Sequence, residues 1–317
     1  MIKLLLILCI YSTQTLGMFF PIISFSEETG TMAGAFIQRP LTDTSDIQLF
    51  LLTQKKGQAG FLNTTNIPIG TERLNIKVYG SNTGESFYGI GNLEEKTTED
   101  NLYFNELSTT ISIEKPIHKK WDALLGLKFT HYNENTEKNN HPKIFNDLND
   151  VGVIIGAQID TRNKEFNTTS GYFNEIKAVL YNHHQIISND VRYFKPHKNG
   201  VLASKFYSVQ TVTNNDHIQY LTGVGNYYYL RGYKTNDIMD RHLTYAQFEW
   251  RTPLTTWFTL TPFIEAGVIG RNISNLKKTL FSYGLGGYFP IGSGAFRLES
   301  AYAENNSEFY FGFNHVF

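Results

Sequence analysis

The stretch that decides the fold reads Trp121-Asp122-Ala123-Leu124-Leu125-Gly126-Leu127-Lys128-Phe129-Thr130-His131-Tyr132. Apolar residues recur at every second position from Trp121 to Phe129, with Asp122 and Lys128 between them and Thr130 directly after. Because successive side chains of a strand point to opposite faces, this alternation predicts a strand with one apolar and one polar face.

The same alternation recurs in residues 72–79, 172–181 and 295–303. The polar faces carry charges of both signs, which favours a lipid-facing surface around a polar lumen. A secreted β-sandwich would show similar alternation and stays open as an alternative. About 300 residues over 16 strands leave roughly 19 for each strand and its connection, enough for membrane-spanning strands. We therefore expect an all-β fold, a 16-stranded antiparallel transmembrane β-barrel.

The chain ends in Phe309-Tyr310-Phe311-Gly312-Phe313-Asn314-His315-Val316-Phe317. Alternating aromatics and a terminal phenylalanine look like the C-terminal signal of bacterial outer-membrane barrels. We expect Phe313 and Phe317 to carry that signal to the barrel assembly machinery, although His315 departs from the usual aromatic. The alternative is an ordinary amphipathic edge strand, which would be an aggregation risk in a soluble protein.

Residues 1–17 have the order of a signal peptide: Lys3, then the apolar run 4–10, then small residues at Thr15 and Gly17. A buried N-terminal helix or strand is the alternative. Cys9, the only cysteine, lies within this segment. We expect residues 1–17 to be removed on export and residues 18–317 to form the barrel in the bacterial outer membrane.

Other functional classes find little support. The net charge of −1 does not suggest a nucleic-acid partner. His183 and His184 are adjacent and would face opposite sides of a strand, so we interpret them as solvated residues and not as metal ligands. No nucleophile context stands out among the serine, histidine and aspartate residues. We expect no enzymatic activity, no cofactor and no metal.

One short motif points to a family. Leu230-Arg231-Gly232-Tyr233 resembles the Arg-Gly-aromatic loop motif of the BamA/TamA superfamily, the bacterial surface antigen barrels. The resemblance implies that this outer loop folds into the lumen and that its arginine contacts acidic residues of the two following strands. Those residues are Glu249, in Gln247-Phe248-Glu249, and Glu265, in Phe263-Ile264-Glu265-Ala266-Gly267.

Alternation independently places Glu249 and Glu265 inside the barrel, although the family usually has aspartate where Glu265 stands. We predict five strands after the motif, near 241–252, 257–270, 279–289, 295–304 and 307–317, as in the family. The hairpin sequence Asp160-Thr161-Arg162-Asn163, followed by Ser170-Gly171-Tyr172, also resembles the family. Because the barrel would begin directly after the signal peptide, we expect a short member without POTRA domains.

The resemblance implies a role in outer-membrane protein or lipid assembly or translocation, with outer-membrane lipid and a separate periplasmic partner. A passive pore or a structural surface-antigen barrel is the alternative. Arg231, Gly232 and Tyr233 would form a latch inside the lumen, with Glu249 and Glu265 as its acceptors. A structural plug is the competing interpretation of the same loop.

Overall fold

The computed structural model describes residues 18–26, 30–42, 45–55, 57–87, 100–134, 147–164, 168–215, 217–225, 229–291, 294–304 and 306–313. Sixteen strands form one antiparallel sheet whose order follows the chain. Their bounds are β1 (Met18–Ser26), β2 (Gly30–Pro40), β3 (Asp46–Gln54), β4 (Gly57–Ile69), β5 (Glu72–Phe87), β6 (Asp100–His118), β7 (Trp121–Glu134), β8 (Leu148–Asp160), β9 (Gly171–Leu180), β10 (His184–His197), β11 (Gly200–Thr213), β14 (His242–Pro253), β15 (Thr259–Asn272), β16 (Asn275–Ile291), β17 (Gly294–Ala303) and β18 (Asn306–Phe313).

The connection between β11 and β14 contains the remaining elements. These are a 3-10 turn (Ile218–Tyr220) and a two-stranded pair, β12 (Thr222–Gly223) with β13 (Met239–Asp240). We call residues 214–241 the lumen loop, and its description rests on residues 214–215, 217–225 and 229–241. Because neighbouring strands are antiparallel, this loop lies at the end of the barrel opposite the C-terminal end of β18.

The apolar faces of the strands point outwards, which is the reverse of a soluble protein. Leu125, Leu127 and Phe129 of β7 are 60%, 44% and 41% exposed, whereas Thr130 is 8% exposed. Across the ladders Leu125 pairs with Ile113 and Ile155, so the exposed apolar surface continues over adjacent strands. A sandwich would bury these side chains. The predicted 16-stranded antiparallel barrel is therefore confirmed, with a lipid-type exterior and a polar interior.

Aromatic side chains gather at the end of the barrel where β14, β16 and β18 end. Trp257 and Phe258, in the turn between β14 and β15, lie next to Phe289 of β16 with ring centroids 6.3 and 5.1 Å away, respectively. Such clusters at the ends of strands form the girdles of membrane barrels. Within the described residues, no helix is long and apolar enough to cross a membrane.

The five strands predicted after the motif are β14 to β18. β16 begins at Asn275, four residues before the predicted start, because only Ile273 and Ser274 separate it from β15. β18 is described to Phe313, whose side chain is not described. Phe317 and the signal-peptide residues 1–17 lie outside the described residues.

Candidate functional site

The lumen loop folds into the barrel and packs on its inner wall. Leu230 and Tyr233 are buried against Leu243, Ile269 and Leu280, which belong to β14, β15 and β16. Apolar side chains on the inner face of these strands therefore anchor the loop on both sides of Arg231. The predicted inward fold of the loop is confirmed.

Arg231 is 1% exposed and bonds Glu265 of β15 through both backbone and side chain. Its N–H donates to Oε2 at 2.7 Å, and its Nε donates to Oε1 at 2.8 Å. Ser282 Oγ also donates to Glu265, at 3.2 Å. Glu265 thus fixes the backbone of the loop as well as the guanidinium, which a point charge alone would not do.

Two further glutamates surround the guanidinium. Glu249 of β14 lies 3.5 Å away, and Glu299 of β17 accepts a hydrogen bond of 2.6 Å from Arg231 Nη1. The structure therefore brings Arg231 together with both glutamates expected from the sequence, Glu249 as an ion pair and Glu265 as a hydrogen-bond acceptor, and adds Glu299 as a second acceptor. Alternation in residues 295–303 already indicated an inward Glu299, but nothing in the sequence linked it to the loop.

The charges in this cluster balance. Arg297 bonds both Glu249, at 2.8 Å, and Glu299, and Arg251 bonds Glu249 at 3.1 Å. Three arginines thus face three glutamates, and all six are nearly inaccessible to solvent. Removing one member leaves an uncompensated buried charge, at a cost of about 3–5 kcal/mol.

Burial alone lowers the pKa of Arg231, but Glu265, Glu299 and Glu249 more than reverse this, so its pKa is raised well above the ordinary value. The guanidinium therefore stays charged. Its carbon also lies 3.6 Å from the centroid of the Phe263 ring, a cation–π contact with the residue two positions before Glu265 on β15. One face of the guanidinium is thus apolar and its edges are hydrogen-bonded or ion-paired.

Gly232 is required by both conformation and space. Its φ is +95°, and a Cβ there would lie 2.9 Å from the carbonyl carbon of Tyr302 and 3.0 Å from the nitrogen of Ala303. Its N–H donates to the Tyr310 hydroxyl at 2.9 Å, and Asn306 Nδ2 donates to its carbonyl at 3.0 Å. A glycine lets the loop backbone lie directly against β17 and β18.

The Tyr233 hydroxyl hydrogen-bonds the backbone of β16. It accepts from the N–H of Phe281 at 3.0 Å and donates to the carbonyl of the same residue at 3.1 Å. The ladder between β16 and β17 ends at the pair of Ser282 with Ala303, so it stops next to Phe281. Tyr233 therefore satisfies the first backbone groups of β16 that lack a partner on β17.

A notch on β15 receives Leu230. A Cβ at Gly267 would lie 2.8 Å from Leu230 Cδ1. Three inward positions of β15 thus contact the loop. The ring of Phe263 lies on Arg231, the carboxylate of Glu265 bonds Arg231, and Gly267 leaves space for Leu230. The sequence motif had yielded only the glutamate.

The other flank of the lumen loop reaches the opposite wall. Ile218 and Met239 pack with Leu102 and Phe104 of β6. Tyr220 lies 4.2 Å from the ring of His184, which also stacks on Tyr181. The expectation of two solvated histidines is therefore wrong for His184, which is buried because the loop covers it; His183 is exposed.

The charge cluster also reaches the far end of the barrel. Arg251 Nη1 donates to the carbonyl of Thr168 at 3.3 Å. Thr168 belongs to the hairpin between β8 and β9, at the end of the barrel where β18 ends, and is 1% exposed. A continuous series of ion pairs and hydrogen bonds therefore connects the lumen loop at one end of the barrel to this hairpin at the other.

Comparisons with known proteins support the fold. No protein-family model and no curated protein sequence matches this chain. The structure is similar to BamA from Haemophilus ducreyi lacking POTRA domains 1–3, with a TM-score of 0.64, 13% identity, and coverage of 99% of this chain and 74% of that one. It is also similar to CdiB from Acinetobacter baumannii, with a TM-score of 0.66, 12% identity, and coverage of 98% and 65%, respectively. The chain has a BamA-like barrel fold.

Proposed function

We propose that this protein is an outer-membrane barrel that assists the assembly or translocation of outer-membrane proteins or lipids, with the lumen loop as a latch. The observation that carries the proposal is the burial of Arg231 among Glu249, Glu265 and Glu299. A loop that only fills space needs no buried, balanced charge cluster, since apolar packing fills a lumen equally well. The likeness of the barrel to BamA and CdiB supports the same proposal.

The proposal includes the surroundings of the barrel. Residues 1–17 direct export, the exposed apolar belt contacts outer-membrane lipid, and the C-terminal strand is recognised by the barrel assembly machinery. Clients reach the barrel through a separate periplasmic partner. No catalytic step, cofactor or nucleic acid is assigned to the chain.

Reconstitution into lipid vesicles tests the activity. A urea-unfolded small outer-membrane barrel is diluted onto vesicles with and without the protein, and its folding is followed by gel mobility. We expect the wild-type protein to accelerate client folding and Arg231→Ala to abolish the acceleration. Arg192→Ala is the matched control, because Arg192 is an arginine of the inner wall whose partner is Asp190, 2.6 Å away. No acceleration by the wild-type protein contradicts the proposal.

A structural barrel with a plug is the second candidate. It is favoured by the reach of the lumen loop from β6 to β18, which leaves the loop packed on both walls. In that case neither protein accelerates client folding, and Arg231→Ala only raises the ion conductance of planar bilayers or lowers the stability of the barrel.

A further inference from the structure

The lumen loop and the last strand meet through a cross-strand pair of side chains. Glu299 of β17 lies directly opposite Tyr310 of β18 in the ladder. Glu299 bonds the side chain of Arg231, and the Tyr310 hydroxyl bonds the backbone N–H of Gly232. Two consecutive loop residues thus bond two neighbouring strands, and both bonds require the register in which Glu299 lies opposite Tyr310.

The last strand contributes a second contact from its first residue. Asn306 Nδ2 donates to the carbonyl of Gly232, so both backbone groups of this glycine bond β18 side chains. Tyr310 and Asn306 are four residues apart. A shift of β18 along β17 would therefore break both hydrogen bonds together.

The outward face of β18 does not itself define this register. A strand moved by two residues keeps the same side chains on the same face, because the side-chain period is two. Ser307 and Phe309 point outwards and would still do so after such a shift. The hairpin turn specifies the same register, because Ala303 lies opposite Asn306 and Glu304 has the left-handed φ, +49°, that tight hairpin turns use.

We propose that the lumen loop and the last strand hold each other: Tyr310 and Asn306 position the loop, and the loop holds β18 in its register on β17. Tyr310 and Asn306 are positioning residues that act through Gly232. This inference deepens the proposed latch, since displacement of the last strand releases the loop and release of the loop frees the last strand. The biological role of this mutual hold rests on the proposed function. The hold itself, between the lumen loop and β18, is a property of the barrel.

Amide hydrogen exchange of the purified full-length barrel, read by mass spectrometry, tests both directions. Tyr310→Phe keeps the ring and removes the acceptor; we expect amides of residues 229–234 to exchange about tenfold faster, as when a hydrogen bond is lost. Arg231→Ala, which changes no atom of β18, should accelerate exchange in residues 306–313 as well. Exchange in β7 and β8 should not change in either variant.

Tyr302→Phe is the matched control, because Tyr302 lies on the neighbouring strand and is 47% exposed on the outer face. Unchanged exchange of β18 in Arg231→Ala, or of the loop in Tyr310→Phe, overturns the inference. If client folding is not accelerated while both exchange effects occur, the proposed function fails and the mutual hold stands.

Discussion

The guanidinium of Arg231 lies on the ring of Phe263, 3.6 Å from its centroid. The first prediction concerns this contact. Phe263→Leu keeps an apolar side chain and removes the π face, so we expect a loss of about 0.5–2 kcal/mol in the free energy of unfolding. The measurement is a guanidinium chloride titration of the barrel in lipid vesicles. Phe248→Leu is the control, because Phe248 faces outwards; equal losses in the two variants would argue against the contact.

Gly232→Ala should destabilise the barrel more than Gly70→Ala. Both glycines have positive φ, but nothing lies within 4 Å of a Cβ at Gly70, whereas the backbone of β17 lies 2.9 Å from one at Gly232. The control variant reports the conformational strain alone, about 1–2 kcal/mol. The same titration measures both variants, and a Gly232→Ala effect no larger than the control would show that the loop is not pressed against β17.

Leu230 and Gly267 should respond as a pair. Gly267→Ala places a methyl group where Leu230 packs and should cost about 1–3 kcal/mol, and Leu230→Ala should cost about 2–5 kcal/mol. The double variant should lose less than the sum, because the smaller loop residue makes room for the new methyl group. Additive losses in unfolding titrations would place Leu230 elsewhere. Gly80→Ala is the control, since its nearest neighbours lie 3.9 Å from a Cβ.

Arg251→Met should loosen the hairpin between β8 and β9. The variant loses the bond to the Thr168 carbonyl, which joins the charge cluster to that hairpin. We expect amides of residues 161–172 to exchange about tenfold faster in mass-spectrometric hydrogen exchange. Arg241→Met should leave the hairpin unchanged, because Arg241 is a buried arginine that bonds the carbonyl of Thr213 at the opposite end of the barrel. If the amides of the hairpin exchange as slowly in Arg251→Met as in the wild-type protein, the hairpin is held by its own hydrogen bonds.

The fold was predictable because its signal is local. Period-two alternation in β7 gave both the strand and its orientation, and the structure places Leu125 and Phe129 outside as expected. The start of β16 was placed too late because residues 271–278 are mostly polar and look like a loop, whereas only Ile273 and Ser274 separate the two strands.

The site was only half predictable. Alternation placed Glu249 and Glu265 inside, since both lie between outward apolar residues. Glu299 and Tyr310 could not be joined to the loop, because that contact depends on how distant strands curve around the lumen. Gly267 offered a usable signal: a glycine at an inward position of a strand indicates the close approach of another segment. His184 was misjudged because burial by the lumen loop has no local signature.

The coupling between Arg231 and Glu265 tests the central claim most directly. Unfolding free energies of Arg231→Met, Glu265→Gln and the double variant form a thermodynamic cycle, in which the double variant restores the charge balance of the cluster. We predict a favourable coupling energy within the range of about 0.5–3 kcal/mol found for contacting residues, towards its upper end. A coupling energy near zero, with additive losses, would contradict a lumen loop latched by this ion pair.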